Sequence, residues 1–423
     1  MGTGGLDRRS FLAAAGLLGL GLGGGPALTA CGSNTGRDGS APGTLSHWYH
    51  AYGEDGVQDA VRRYAAGYPD ARVEVQWNPG DYDSKIVTAL QGGRTPDVFE
   101  AQVKVDWVRQ QQVAPLDDLL GDQRPDFVKA LLDAQTVDGR LYGIPQAIDT
   151  QVLFYRPSLL REAGATPPTT VDELVDATRR LSGNTARGLF AGNDGGVAVL
   201  TAPLLWSAGL DLLSADGRSP GFDDPRAATA IGKLRELHAT DGLLLGAPTD
   251  WADPGAFTEG LTAMQWTGLW NLPKIVEAHG DDVGVLPFPR LDADGAESVP
   301  VGAYSAMVNA RAADVDRAKD YVRWLWVERT DHQAEFATAF GAHLPARASL
   351  EDAADRLAGG LGGQVAQLVA DLGRVASPAR WTAAANTALS DAVSRVARAG
   401  ADPAEELRAA VATARDELTR LDR

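Results

Sequence analysis

A single cysteine, Cys31, stands among 423 residues, so no disulfide can close within one chain. Histidine is also scarce: the six present form no close cluster with cysteine or aspartate, which argues against a zinc site. Cations are outnumbered, with 39 Lys and Arg against 56 Asp and Glu and a formal charge of −17, a balance that disfavours nucleic acid and anionic lipid as partners. A P-loop, a G-x-G-x-x-G after a strand and a G-x-S-x-G elbow are all missing, so the chain lacks the local signatures of nucleotide binding and serine hydrolysis. Past residue 30 no apolar run is long enough to span a bilayer. No cofactor is expected.

What surrounds the lone cysteine is informative. Residues 6–30, "LDRRSFLAAAGLLGLGLGGGPALTA", run from a charged head through an apolar stretch to a small-residue exit, the order of an export signal. Arg8 and Arg9 followed by Ser10, Phe11 and Leu12 resemble the twin-arginine signal of bacterial export, and "LTAC" matches the lipobox of bacterial lipoproteins. A transmembrane anchor is the alternative, but an apolar run interrupted by so many glycines and closed by Pro26 makes a poor helix. Residues 1–30 are therefore expected to be a cleaved signal peptide. Cys31 would then begin the mature chain with a diacylglyceryl group on its sulfur, and each buried methylene contributes about 0.8 kcal/mol to anchoring. The expected location is outside the cytoplasm, held at the cell membrane by that lipid.

Residues 31–43 add the Gly/Ser-rich tether "GSNTGRDGSAPG", and folding is expected to begin near Thr44. The remainder is too long for one ordinary core, and at 44% hydrophobic it can bury two. "TLSHWYH" reads as a strand, "EDGVQDAVRRYAAGYP" as a helix closed by Gly67 and Pro69, and "ARVEVQW" as a second strand, which makes a β-α-β unit. The alternation continues through "DSKIVTALQGG" and "TPDVFEAQ", favouring mostly parallel sheets. Later, Thr170 and Glu173 form a capping-box pattern. Ala318, Tyr321, Val322, Leu325 and Trp326 share one helical stripe, so Trp326 is expected in the core.

Seven stretches, in this order, carry a resemblance: "LQGGRTPDVFEAQ", "QQVAPLDDLL", "VDGRLYGIPQAIDTQVLFYRPSLLREAGATPPTTVDEL", "GAFTEGLTAMQWTGLW", "VGVLPFP", "VGAYSAMVNA" and "GAHLPAR". The chain from residue 44 onward resembles the extracellular solute-binding proteins of ABC importers, particularly their sugar-binding, maltose-binding-protein-like group. That resemblance implies a two-lobed α/β fold with a ligand cleft between the lobes and closure on a hinge. Crossings are expected at Ile148–Thr150, Val299–Gly302 and Ala342–Ala346. Lobe one would comprise residues 44–148 and 302–342, and lobe two 149–301 and 343–423. It further implies a non-catalytic, monomeric receptor that delivers a sugar to permease subunits.

A sugar offers C–H patches on its ring faces and a girdle of hydroxyls, so its binder needs aromatic planes and fixed polar groups. By the resemblance, Trp270 and Trp381 occupy the places of stacking tryptophans. Trp266, four residues before Trp270, is open between core and ligand. Tyr49, His50 and Tyr52 follow the first strand, and Glu100 and Gln102 follow "DVF", where loops at strand ends form the usual binding edge. Asp149, on the expected hinge, would either accept two hydroxyls or stabilise the hinge. Trp206 and Tyr304 would line the cleft or join the core. Two other readings remain: the same fold binding a non-sugar solute such as a polyamine, and an exported carbohydrate-active enzyme with two carboxylates across a cleft. Phosphate esters are disfavoured, since no basic cluster converges on the expected cleft.

Overall fold

A computed structural model describes residues 43–92, 95–183, 186–350 and 360–423, all within one unit of the chain, residues 38–423. The export signal, Cys31 and most of the tether lie outside these residues. The strands are β1 Thr44–His50, β2 Arg72–Asn78, β3 Val98–Ala101, β4 Thr136–Val137, β5 Arg140–Leu141, β6 Ile144–Pro145, β7 Ala147–Tyr155, β8 Arg187–Phe190, β9 Thr262–Gly268, β10 Gly284–Leu286, β11 Val299–Gly302, β12 Ser305–Val308, β13 Leu344–Pro345 and β14 Gly373–Val375. Two sheets organise them: β2-β1-β3-β12-β6, and β14-β11-β7-β9-β8 with β10 and β13 also on β7. Helices pack on both, and the result is a two-lobed α/β fold. Among the described residues no helix is long and apolar enough to cross a membrane.

Local chemistry places the elements. The helix Val57–Ala66 ends against Gly67, and Asp81 caps Tyr82–Gln91 by accepting the Ser84 N–H at 3.1 Å. Thr170 and Glu173 complete both halves of the capping box at the start of Val171–Arg180. Trp326 is fully buried in the first lobe's core with Tyr321, Val322 and Leu325.

The sheets are mixed rather than mostly parallel, which corrects the expectation drawn from the β-α-β alternation. Strands β1, β2 and β3 pair in parallel, but β12 runs antiparallel to both β3 and β6. In the second sheet β7 is antiparallel to β9, β10, β11 and β13. The physical reason is the route of the chain: β7 leaves the first sheet region at Ala147, and later strands return alongside it from the opposite direction. As a result residues 147–150 of β7 are flanked by β13 (Leu344 opposite Ile148) and β11 (Gly302 opposite Asp149). Thr150 adds a side-chain bond, its hydroxyl donating to the Pro300 carbonyl at 2.8 Å.

The first sheet's core centres on Tyr64, Tyr321 and Trp326, and the second's on Leu200, Ile231, Leu234 and Trp266. A further apolar cluster joins Tyr82, Ile86, Val105 and Trp107 to Ala379, Leu418 and Leu421, so the C-terminal segment packs on helices of the first sheet. The Val105 N–H donates to the Ala379 carbonyl at 3.1 Å in the same seam.

Candidate ligand site at the junction of the two sheets

Alternation along β1 decides its end. Leu45, His47 and Tyr49 point into the core while Trp48 and His50 take the other face, as a period of two requires. Tyr49 is 0% exposed, its ring 5.1 Å from that of Trp77, and packs in the core rather than with the partly exposed rings. His50 and Tyr52, by contrast, are only partly buried, and both bond Glu100. The Glu100 carboxylate, itself fully buried, accepts the His50 backbone N–H at 2.7 Å, the Tyr52 hydroxyl at 2.7 Å and the His50 imidazole. Glu100 therefore positions two other side chains rather than presenting its own oxygens. Burial works to lower the pKa of His50, but the charge and hydrogen bond of Glu100 outweigh it and raise it. Burial and the same carboxylate push the Tyr52 phenol well above its ordinary range.

Tyr304 follows β11 and lies on His50, ring centroids 4.4 Å apart and planes 28° from parallel. Gln102 is half-buried beside Gly302, where a side chain at 302 would press on its amide. Asp149 sits one strand away and accepts from His343 Nδ1 at 2.8 Å, while His343 Nε2 donates to Glu54 at 2.8 Å. Burial opposes a charge on His343, yet the hydrogen bonds and charges of Asp149 and Glu54 push its pKa up to about 10. Glu54, whose burial would raise its pKa, is instead held below the usual carboxylate range by His343. Asp149 on β7 is thus tied through His343 to Glu54 on the loop after β1.

Trp270 occupies the short turn after β9, half-exposed, its plane 18° from parallel to His343 with centroids 6.1 Å apart. Its ring lies over Gly268, where any Cβ would clash at 2.2 Å, and its indole N–H donates to the Ala252 carbonyl at 3.0 Å. Nearby, Lys274 donates to the Gly53 carbonyl at 3.1 Å, which joins the helix after Trp270 to the loop after β1.

Three other tryptophans do not join this group. Trp206 is 0% exposed in the helix Val197–Ser207; its N–H donates to Asp211 at 3.1 Å and the Arg374 guanidinium covers its ring. Trp266 is 1% exposed because β9 alternation turns it away from the face of Gln265 and Thr267, into edge contact with Phe288 and a bond to Gln151. Trp381 is 7% exposed, packed against Phe222 with its N–H on Asn386. All three are core residues here. The group that converges is His50, Tyr52, Gln102, Asp149, Trp270 and Tyr304. Sequence reading missed Glu54 and His343, which arrive from distant segments; only the position of His343 inside "GAHLPAR" could have drawn attention to it.

Comparison with known proteins fits this architecture. The chain is 24% identical over 306 residues to the lactose-binding protein of Rhizobium radiobacter, covering 68% of this chain and 70% of that protein. It is 26% identical over 343 residues to the diacetylchitobiose-binding protein DasA of Streptomyces coelicolor, covering 75% and 77%. An ABC transporter solute-binding protein from Thermotoga lettingae, solved with α-D-tagatose, superposes with a TM-score of 0.75 at 20% identity over 89% of this chain and 99% of that one. Residues 50–326 match the bacterial extracellular solute-binding protein family, and with the two-lobed fold and the junction site in place, the chain belongs to that family.

Proposed function

We infer that this protein is an extracytoplasmic receptor that binds a sugar or oligosaccharide between its lobes and delivers it to an ABC transporter permease. The observation that carries this reading is the group of partly exposed rings, His50, Tyr52, Trp270 and Tyr304, set among carboxylates that are already paired. Rings can cover the C–H faces of a sugar, and Gln102 and Asp149 can meet its hydroxyls. The lactose- and diacetylchitobiose-binding relatives and the tagatose-bound neighbour support the same solute class.

The pairing also weighs between ligands. A polyamine needs carboxylates without partners to replace its lost hydration, whereas Glu100 is engaged by His50 and Tyr52, and Glu54 and Asp149 by His343. That supports a neutral polyhydroxylated solute. A glycosidase needs one carboxyl to donate a proton and another to attack or activate water, and two carboxylates sharing one imidazolium support binding over catalysis. The lobes are proposed as 44–148 with 302–342 and 149–301 with 343–423, closing about the strands at 148–150, 299–302 and 342–346, and acting as a monomer.

The test is a thermal-shift screen of the folded domain with mono-, di- and trisaccharides and with spermidine. Ligand at 100 times its dissociation constant stabilises by about 2.7 kcal/mol, so a binding saccharide raises the melting temperature and is recovered unchanged. Small-angle scattering at saturation is expected to show a smaller radius of gyration. A shift with spermidine alone would overturn the sugar reading, and released product would mean catalysis.

The membrane tether is proposed from Cys31. Cys31→Ser is expected to move the protein from the membrane to the soluble fraction, because only the cysteine sulfur can take the diacylglyceryl group. Mass spectrometry of the wild-type N-terminus finding Met1, or an unmodified Cys31, would reject lipidation.

A further inference from the structure

Trp251 stands on the loop before the short helix Gly255–Thr258, half-exposed, with its ring 6.0 Å from that of Trp270 and the two planes 66° apart. The loop beneath it is fastened with unusual density. The Trp251 carbonyl accepts from Thr267 at 2.6 Å and from Gln265 at 3.4 Å, and the Asp253 carbonyl from Gln265 at 2.8 Å. Between them, the Ala252 carbonyl accepts from Asn271 at 2.9 Å and from the Trp270 indole at 3.0 Å. Asn271 also donates to the Thr267 hydroxyl at 2.9 Å, which closes the network. On the other side Asp250 accepts the N–H groups of Asn193 and Trp251.

Gln265, Thr267 and Asn271 are all buried. Burying three polar side chains gains little unless each is satisfied, and apolar residues could fill the same volume more cheaply. What the polar set does, and apolar packing cannot, is hold three consecutive carbonyls in place. The Trp270 indole is one of the fasteners. The Trp270 ring and the backbone that carries Trp251 are therefore held by one network, and the two rings meet edge to face as a corner.

Resting on the reading of the site as a sugar receptor, we propose that Trp251 is a second ligand-contacting plane and that the corner selects oligosaccharides over single sugars. One pyranose ring has two parallel faces, so it cannot stack on two planes 66° apart. Successive rings of a chain, turned relative to each other at the glycosidic bond, can each lie on one plane. A groove of about 390 Å³ lined by Asp253, Thr258, Lys274 and Glu277 shares Asp253 with the braced loop and offers hydroxyl partners.

Titration calorimetry on wild type, Trp251→Ala, Trp251→Phe and Thr267→Val, with glucose, galactose, lactose, maltose and maltotriose as probes, tests this. Trp251→Ala is expected to weaken the best di- or trisaccharide at least tenfold and any bound monosaccharide less than threefold, with Trp251→Phe restoring most of the loss. Thr267→Val, which leaves both rings present and loosens the loop, is expected to show the same selective pattern at about threefold. Unchanged oligosaccharide affinity in both Trp251→Ala and Thr267→Val would overturn the corner while leaving the receptor reading intact, and so would equal losses for single and linked sugars. Wild type binding none of these saccharides would overturn both.

Discussion

Trp270→Ala is expected to lower saccharide affinity at least about thirtyfold, on the order of 2 kcal/mol, while the ligand-free protein keeps most of its stability. Trp270 is half-exposed, and its internal attachments are one hydrogen bond to Ala252, ring contacts with Trp251 and His343, and its seat over Gly268. One hydrogen bond contributes roughly 1 kcal/mol to a fold, so truncation falls mainly on the ligand. The buried tryptophans behave oppositely. Trp326→Ala and Trp266→Ala empty fully enclosed volume and are expected to cost roughly 3–5 kcal/mol of stability. Melting without ligand and calorimetric titration on the same three variants separate the cases. A Trp270→Ala protein that melts like Trp326→Ala yet binds as wild type would remove Trp270 from the site.

His343→Ala is expected to destabilise the ligand-free protein by about 3–5 kcal/mol, because removing the shared cation leaves two carboxylates facing each other without it. The groups facing His343 are Asp149 on β7, Glu54 on the loop after β1 and the ring of Trp270, and both carboxylates favour its protonated form. The folded pKa of about 10 lies above the ordinary 6.5, so the proton favours the fold. That contribution is complete below about pH 6.5 and is lost as pH rises through about 10. Wild-type melting temperature should therefore fall relative to His343→Ala between these limits, and the two curves should converge at the alkaline end. Parallel curves from pH 6 to 10 would show that the imidazole is not held as a cation.

Much of the fold is readable from local pattern because its causes are local. β1 and β2, the helix closed at Gly67, the capping box at Thr170 and the stripe that buries Trp326 each follow from residues within a few positions of one another. Strand direction is different: whether β12 runs with or against β3 depends on where about 200 residues of intervening chain return, and no local period reports that. The site divides the same way. Tyr49 could have been assigned to the core by its alternation with His50, yet its aromatic character suggested a ligand plane. Trp206 lies in a helix apolar on nearly every side, where no polar face marks which ring meets solvent. Glu54, Trp251 and His343 meet only through tertiary structure, and each looks ordinary in its own segment.

The pairing of β7 with β11 and β13 at residues 147–150 has a mechanical meaning. A joint made of loops moves by letting backbone torsions swing, and its stiffness is whatever solvent and side chains happen to supply. Here the axis would run through a ladder in which residues 147 and 148 are paired with β13 and residues 149 and 150 with β11, so motion takes the form of added twist along a torsion bar. Such a joint turns about one direction and resists shear and splay. The two halves would come back to the same alignment on every cycle, and a ligand would meet Trp270 and Tyr304 at the same spacing each time.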